Sequence, residues 1–237
     1  MSNKPGKIYY SLNNFKPHKS NYGTGVSYGR FQVYHGGHEL ATKMILNLGL
    51  VPHIVTSHTH KLPNNPMSPV EKIEFINAAW TGTKTPVIVR ATSKNLSYIG
   101  SFIRNKILPN VKNGKKIVVF LGENRVRPSN GANKKFYLSN GLVNMGFNVV
   151  RSGKRVEGAA NVTGLSSSLM RKHAVAGNYL SFNSGLVKQV RGTKLAREYF
   201  NKLHNRLQPN TASPKKKKKK NSPPNSPKTG TRRSARR

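Results

Sequence analysis

The chain contains no cysteine. That absence excludes disulfide frameworks, thiolate nucleophiles and cysteine-bound zinc. It contains no aspartate either, and its six acidic residues are all glutamate, at positions 39, 71, 74, 123, 157 and 198. Against them stand 42 lysines and arginines, for a formal net charge of +36. Long apolar runs are also missing. No window nears the roughly 18 consecutive apolar residues of a membrane-crossing helix, and the start of the chain lacks the apolar core of a secretion signal. The expectation is a soluble protein, intracellular or packaged inside a particle, with no membrane partner.

The positive charge is spread along the whole chain. Of the 42 basic residues, 31 precede Gln208, so residues 1–207 alone stand near +25. An excess of this size predicts attraction to polyanions such as nucleotides and nucleic acid, weakened steeply by salt. Beyond Gln208 come Ser213-Pro-Lys, six lysines ending at Lys220, further Ser-Pro steps and a terminal Arg232-Arg-Ser-Ala-Arg-Arg237. That composition predicts a disordered basic tail over residues 208–237. Residues 1–22 hold Tyr9, Tyr10, Phe15 and Tyr22 without any period, an N-terminal arm whose packing the pattern leaves open. Residues 23–207 remain as one domain.

Within that domain strand and helix patterns alternate. Residues 24–30, His53-Ile-Val-Thr56, Val87-Ile-Val89, residues 116–121 and Phe147-Asn-Val-Val150 read as strands. Between them, apolar residues at 40, 41, 44, 45 and 48 recur at helical spacing, as do those at 96, 99, 102, 103 and 107, a helix stopped by Pro109. Ser68-Pro69-Val-Glu71 carries the marks of a capped helix start. The alternation predicts an α/β fold, a single Rossmann-like parallel sheet with helices on both faces, and such sheets bind ligands at the carboxyl ends of their strands.

Two motifs fall at such ends. Gly29-Arg30-Phe31-Gln32 closes the first strand and leads into His35-Gly-Gly37-His38, placing two imidazoles one turn apart where a helix begins near Gly37. A helix start presents backbone N–H groups to an anion. Far downstream, Thr163-Gly-Leu-Ser166-Ser167-Ser168-Leu-Met-Arg171 opens another helix with three hydroxyls and a guanidinium, a second phosphate cradle.

Together, Gly-Arg-Phe-Gln-x-x-His-x-Gly-His and Ser-Ser-Ser-x-x-Arg resemble the nucleotidylyltransferase superfamily, cytidylyltransferase-like and adenylyltransferase-like enzymes. Thr56-Ser-His58-Thr-His60, Asn65-Pro-Met-Ser-Pro-Val-Glu-Lys72 and Val118-Val-Phe-Leu-Gly122-Glu-Asn124-Arg125 resemble segments of phage and large-virus members. The likeness spans roughly residues 24–186. The resemblance implies transfer of an NMP unit, CMP or AMP, from an NTP to a small phosphorylated acceptor, with release of pyrophosphate. The first motif is worded like that of nicotinamide mononucleotide adenylyltransferases, whereas the viral relatives are cytidylyl enzymes, so CTP and ATP both stay open.

What the resemblance implies for the residues is specific. His35, His38 and Arg171 take the catalytic places. Gly29, Arg30, Phe31, Gln32, Gly37, Gly122, Asn124, Arg125 and Ser166–Ser168 line the nucleotide, and His58 and Lys61 face the acceptor. Such a reaction needs no protein nucleophile, only in-line positioning and neutralisation of charge. Mg²⁺ is held mainly through NTP phosphates and water, since no aspartate exists to bind it and His58, His60 and His35 make no complete metal set. Asn124 stands where the viral relatives have aspartate, which keeps a hydrogen bond and removes a charge. The Lys-Met-Ser-Lys-Ser loop of class I aminoacyl-tRNA synthetases, which share H-x-G-H, is absent.

Plainer readings sit beside these. The histidines and serines also suit simple helix caps, and Lys61 suits a solvated surface charge. The charge also fits a catalytically inactive domain of this type that binds nucleic acid or belongs to a virion, and the tail's lysine and arginine runs fit nuclear import.

Truncation after Leu207 tests the tail as an electrostatic appendage. It leaves any catalysis of the domain intact, weakens nucleic-acid binding and flattens the salt dependence by about 0.9 per lost phosphate contact on duplex DNA. Equal salt slopes for full-length and truncated protein, by fluorescence anisotropy, would contradict it.

Overall fold

In the computed structural model, residues 5–15, 21–92, 99–111, 115–122, 138–152 and 164–208 are described. Six parallel strands form one sheet: β1 (Ile8–Tyr9), β2 (Tyr22–Gly29), β3 (Val51–Thr56), β4 (Ile88–Ala91), β5 (Lys116–Leu121) and β6 (Asn148–Arg151). Their spatial order is β1-β6-β5-β2-β3-β4. From central β2 the chain runs outward through β3 and β4, then returns to β2's other side with β5. Strand order therefore reverses between β2 and β5, and the crevice at that reversal is where open parallel sheets take ligands.

β5 illustrates why these segments are strands. After exposed Lys116, Ile117, Val118, Val119, Phe120 and Leu121 are all buried, alternating between the two faces. Ile117, Val119 and Leu121 join Val26, Val55 and Val149 beneath α3 (Ile99–Phe102), its π-helical continuation Ile103–Ile107, and α4 (Leu138–Asn144). Val118, Phe120 and Val150 pack with Ile45 of α1 (Gly36–Asn47) and with Phe15. Both faces are thus covered.

Close packing of α1 on the sheet depends on Gly25. A Cβ there would stand 2.5 Å from Ile45 Cγ2, so a larger residue would push away the helix that carries His35 and His38.

On the α1 side α2 (Pro69–Ala79) presents Phe75, Ile76 and Ala79 to a cluster completed by the C-terminal helices α5 (Ser167–Val175), α6 (Tyr179–Gly185) and α7 (Lys194–Leu207). α7 is fastened to α2 by charge. Arg206 Nη1 and Nη2 donate to Glu71 Oε2 and Oε1 at 2.7 and 2.9 Å, and Nη1 also donates to the Pro66 carbonyl at 2.9 Å. Burial works against the charged Glu71, but bonds from Arg206 and Ser68 outweigh it and bring its pKa down to about 2.

Several sequence expectations shift. Strand ends move by one to two residues, and the Leu96–Ile107 helix appears as α3 and a π-helical turn, residues 96–98 lying outside the described residues. The N-terminal segment, left open by its pattern, joins the sheet. Ile8 and Tyr9 pair with Val149 and Val150, and Phe15 is buried. Tail residues beyond Gln208 lie outside the described residues.

Arg206→Ala lowers stability at pH 7 by about 2 kcal/mol, discounted from a fully buried pair because a third of Arg206 stays in water. A depressed carboxylate pKa stabilises above the unfolded value, about 4.5, and that share disappears as pH falls through about 2. Urea midpoints of wild type and variant therefore converge between those pH values; a gap that persists at pH 2 would contradict the pairing.

Candidate active site

β2 ends at Gly29, and Ser57 N–H donates to the Gly29 carbonyl at 3.0 Å, locking the ends of β2 and β3 together. Two residues on, Phe31 takes φ +41°, a left-handed conformation that costs a non-glycine residue roughly 1–3 kcal/mol. Its buried ring offsets this by packing edge-on to Tyr34 and His38, with centroids 5.6 and 4.8 Å away. The ring folds back over Gly29, where an added Cβ would sit 2.9 Å from Phe31 Cε1. The turn leaves Arg30 exposed at the sheet's carboxyl edge.

The helix start that follows is capped by imidazoles. Gly37 N–H donates to His35 Nδ1 at 3.1 Å, and His35 N–H donates to His38 Nδ1 at 3.4 Å, a reciprocal capping box. The His38 and Glu39 N–H groups bond the His35 carbonyl at 2.8 and 3.2 Å. The rings and the His35 carbonyl thus take up the N–H groups of His35, Gly37, His38 and Glu39, which narrows the expected opening toward an anion. The consequence is a fixed tautomer. A ring nitrogen that accepts carries no proton, so each imidazole carries its proton on Nε2. The two rings lie 3.8 Å apart, and burial lowers the His38 pKa to about 3, which keeps it neutral at pH 7.

The second motif meets the first across 134 residues of sequence, where Ser167 Oγ donates to the Val33 carbonyl at 3.1 Å. Each serine has its own task. Ser166 accepts from Leu169 N–H at 3.0 Å as the cap of α5, and Arg171 Nη2 donates to Ser168 Oγ at 3.2 Å. Ser167, expected to bind phosphate, instead commits its one hydroxyl hydrogen to joining α5 to the β2–α1 turn. Burial, and after it the positive charge of Arg30, lower the Arg171 pKa. Glu39, the acid of α1's first turn, is paired with Lys43 at 2.6 Å. Gly122 follows β5 at the reversal of strand order and is exposed. Asn124 and Arg125 lie outside the described residues.

The loop from β3 to α2 leaves the carboxyl edge of the sheet beside the end of β2. His58 is half-buried and Lys61 exposed, the latter bridging to Asn65 through paired backbone bonds of 2.8 and 2.9 Å. Gln32, expected to line the nucleotide, has its side chain engaged here: Oε1 accepts from Met67 N–H at 2.9 Å and Nε2 donates to the Thr59 carbonyl at 3.1 Å. Lys72 is the residue that sequence reading overlooked. It is fully buried, and its Nζ donates to the Ser57 carbonyl and, at 3.4 Å, to that of Thr59. Burial lowers its pKa to about 8. Its spacing from Phe75, Ile76 and Ala79 was the available signal, since i, i+3, i+4 and i+7 share one helix face.

Among the described residues no three or more His, Cys, Asp or Glu side chains are grouped to hold a metal, and no helix is long and apolar enough to cross a membrane.

No family model matches the chain, nor does any curated protein. Solved structures similar to it include a bifunctional NMN adenylyltransferase/ADP ribose pyrophosphatase from Francisella tularensis complexed with AMP and Mn ion. It is 16% identical at TM-score 0.48 over 76% of this chain and 52% of that one. A second structure of such a bifunctional protein from Francisella tularensis, 14% identical at TM-score 0.47, has the same coverage. The chain thus spans about half the length of these proteins. Such a likeness says nothing of chemistry.

A half-buried histidine held neutral has a pH signature. Its folded pKa lies below the unfolded value of 6.5, so stability is greatest above pH 6.5 and falls with pH toward about 3, by up to about 1.4 kcal/mol per unit. His53, lowered to about 4 by burial and by Arg90, adds a slope of the same sign. Between pH 7 and 5, His38→Asn makes the fall in urea midpoint shallower than in wild type; equal slopes would show that His38 is not held neutral.

Proposed function

We propose that this chain is a nucleotidyltransferase that moves an NMP unit, AMP or CMP, from an NTP to a small phosphorylated acceptor and releases pyrophosphate. The observation that carries the reading is the Ser167–Val33 hydrogen bond, which joins the helix of Arg171 to the turn that leads from Arg30 to His35 and His38 at the carboxyl end of β2. Neutral donors suit an α-phosphate whose charge grows in the transition state, and forked cations suit phosphates charged throughout. A β2 end followed by His35 and His38, with Arg171 delivered by a separate helix, also matches the motif pairing of the superfamily. The Thr56–His60 and Asn65–Lys72 segments support kinship with its phage and large-virus members.

In this reading a phosphate oxygen of the acceptor attacks the α-phosphorus in line. A new P–O bond forms while the bond to the β-phosphate oxygen breaks, and pyrophosphate carries away that electron pair. His35 and His38 donate Nε2–H to the non-bridging α-oxygens, while Arg30, Arg171 and Ser168 hold the β- and γ-phosphates. Gly29 and Gly37 keep the chain slim beside the phosphates, and Gly122, exposed after β5, faces base and ribose. His58 and Lys61 contact the acceptor. The described residues do not fit a protein-held Mg²⁺, so a divalent ion enters as the triphosphate's own chelate and no step is assigned to it.

The net charge of +36 favours a second reading, an inactive domain of this type that binds nucleic acid in a nucleus or virion. Pyrophosphate release discriminates the two: the full chain with ATP or CTP, Mg²⁺ and a panel of phosphorylated acceptors including nicotinamide mononucleotide yields pyrophosphate only if the first is right. In that assay His38→Ala lowers kcat by about 10²- to 10³-fold with NTP affinity nearly unchanged, because its bond strengthens in the transition state. Arg171→Ala weakens NTP binding by about tenfold, and Arg171→Lys recovers only part of it for want of the fork. An unchanged kcat in the first variant, or unchanged calorimetric affinity in the second, removes that residue from the site.

A further inference from the structure

A fully buried lysine is rarely left without a carboxylate, because desolvating an ammonium is unfavourable unless its hydrogens find acceptors. Among the described residues no carboxylate pairs with Lys72. The neighbouring Glu71 is engaged by Arg206 and Lys202. What Lys72 does hold is backbone: the carbonyls of Ser57 and Thr59, in the loop that leaves β3 at the sheet's carboxyl edge. Gln32 also holds the Thr59 carbonyl and is itself fixed by Met67 N–H.

The same loop carries polar atoms that are incompletely satisfied. Ser57 Oγ and Asn65 Oδ1 are buried and have no hydrogen-bond partner among the described residues. Leaving such groups unpaired is unfavourable and tends to open a loop toward water. A strong internal tie is what keeps it in place.

We propose that Lys72 is a positioning residue: its ammonium, with Gln32, clamps the Ser57–Thr59 backbone so that the His58–Lys61 wall stands ready for the acceptor beside the His35–His38 pair. The proposal rests on the nucleotidyl-transfer reading for its kinetic consequence, though not for its structural one. Lys72 acts through carbonyls that belong to the acceptor side. The tie to Thr59 crosses from α2 to the turn after β2, so the acceptor wall and the catalytic turn are held as one piece. Arg171, assigned to the triphosphate, stands on α5 and does not depend on the clamp, and Arg30 is exposed on the β2 side of Gln32.

The test compares the full chain with Lys72→Met, which keeps length and removes the donors, and Lys72→Arg, which keeps charge and donors. Hydrogen exchange is followed at the Ser57, Lys61 and Asn65 amides, each bonded to a backbone carbonyl, with the α7 amides as internal reference. Kinetics use ATP and nicotinamide mononucleotide. In Lys72→Met, exchange at the loop amides rises by about tenfold while α7 is unchanged. The KM for the acceptor rises by about tenfold and that for ATP stays within about twofold, and Lys72→Arg restores part of both. Unchanged loop exchange, an equal rise in loop and α7, or an equal rise in both KM values would overturn the proposal. Should Lys72→Met not fold, Lys72→Gln, which can hold one carbonyl, is judged by the same criteria. Exchange requires no turnover, so a chain that transfers no nucleotide refutes the functional reading while the loop amides still decide whether Lys72 is a clamp.

Discussion

Backbone N–H groups at the start of α1 hold both histidines by their Nδ1 atoms, and the chemistry of the site follows from that one constraint. A side chain that caps a helix is ordinarily an oxygen acceptor. Here the acceptors are ring nitrogens, at 3.1 Å in His35 and 3.4 Å in His38. The cap therefore fixes the ring tautomers and the ring positions at once. Phe31, bent into a left-handed conformation, packs against the His38 ring, and Tyr34 stacks on it with centroids 5.6 Å apart. A ring so enclosed stays uncharged at neutral pH and presents its proton from Nε2. The strain at Phe31, the bare Cα of Gly29 and the closeness of α1 to Gly25 all serve the same arrangement.

Among the described residues, the cations around this pair find few acids. Arg30 lowers the pKa of Arg171, Lys72 lies buried without a carboxylate among the described residues, and Glu39 and Glu71 are committed to Lys43 and Arg206. Like charges gathered in this way destabilise the free protein and are relieved by an anion. In a chain with no aspartate and +36 net charge, neutralising partners are scarce inside the protein. A polyphosphate supplies them from outside, which ties the composition of the whole chain to the nature of its ligand.

Much of this was legible in the sequence. Alternating strand and helix periods gave the parallel sheet, Ser68-Pro69-Val-Glu71 gave the capped start of α2, and the two motifs marked elements that the fold joins through Ser167 and Val33. What could not be read was the partner of each polar group. Ser167 and Gln32 have the residue types of phosphate or nucleotide contacts, yet their hydrogen bonds go to Val33, Met67 and Thr59, a matter of tertiary distance and not of spacing. β1 escaped notice because two residues carry no period and their partner lies 141 positions away. Lys72 was hidden by its charge: in a chain so rich in lysine, one at a buried helical position looks like any other until the helix face is drawn.

The central claim is that His35 and His38 serve as neutral donors with their protons on Nε2, and histidine NMR tests it most directly. In protein labelled with ¹⁵N-histidine and assigned by single replacements, long-range proton–nitrogen correlations distinguish the two tautomers and the imidazolium. The account predicts that at pH 7 both rings have unprotonated Nδ1 and protonated Nε2, that His38 stays neutral down to pH 5, and that ATP shifts the Nε2 resonances of both. A proton on Nδ1 of either ring, an imidazolium at pH 7, or Nε2 resonances indifferent to saturating ATP would contradict it.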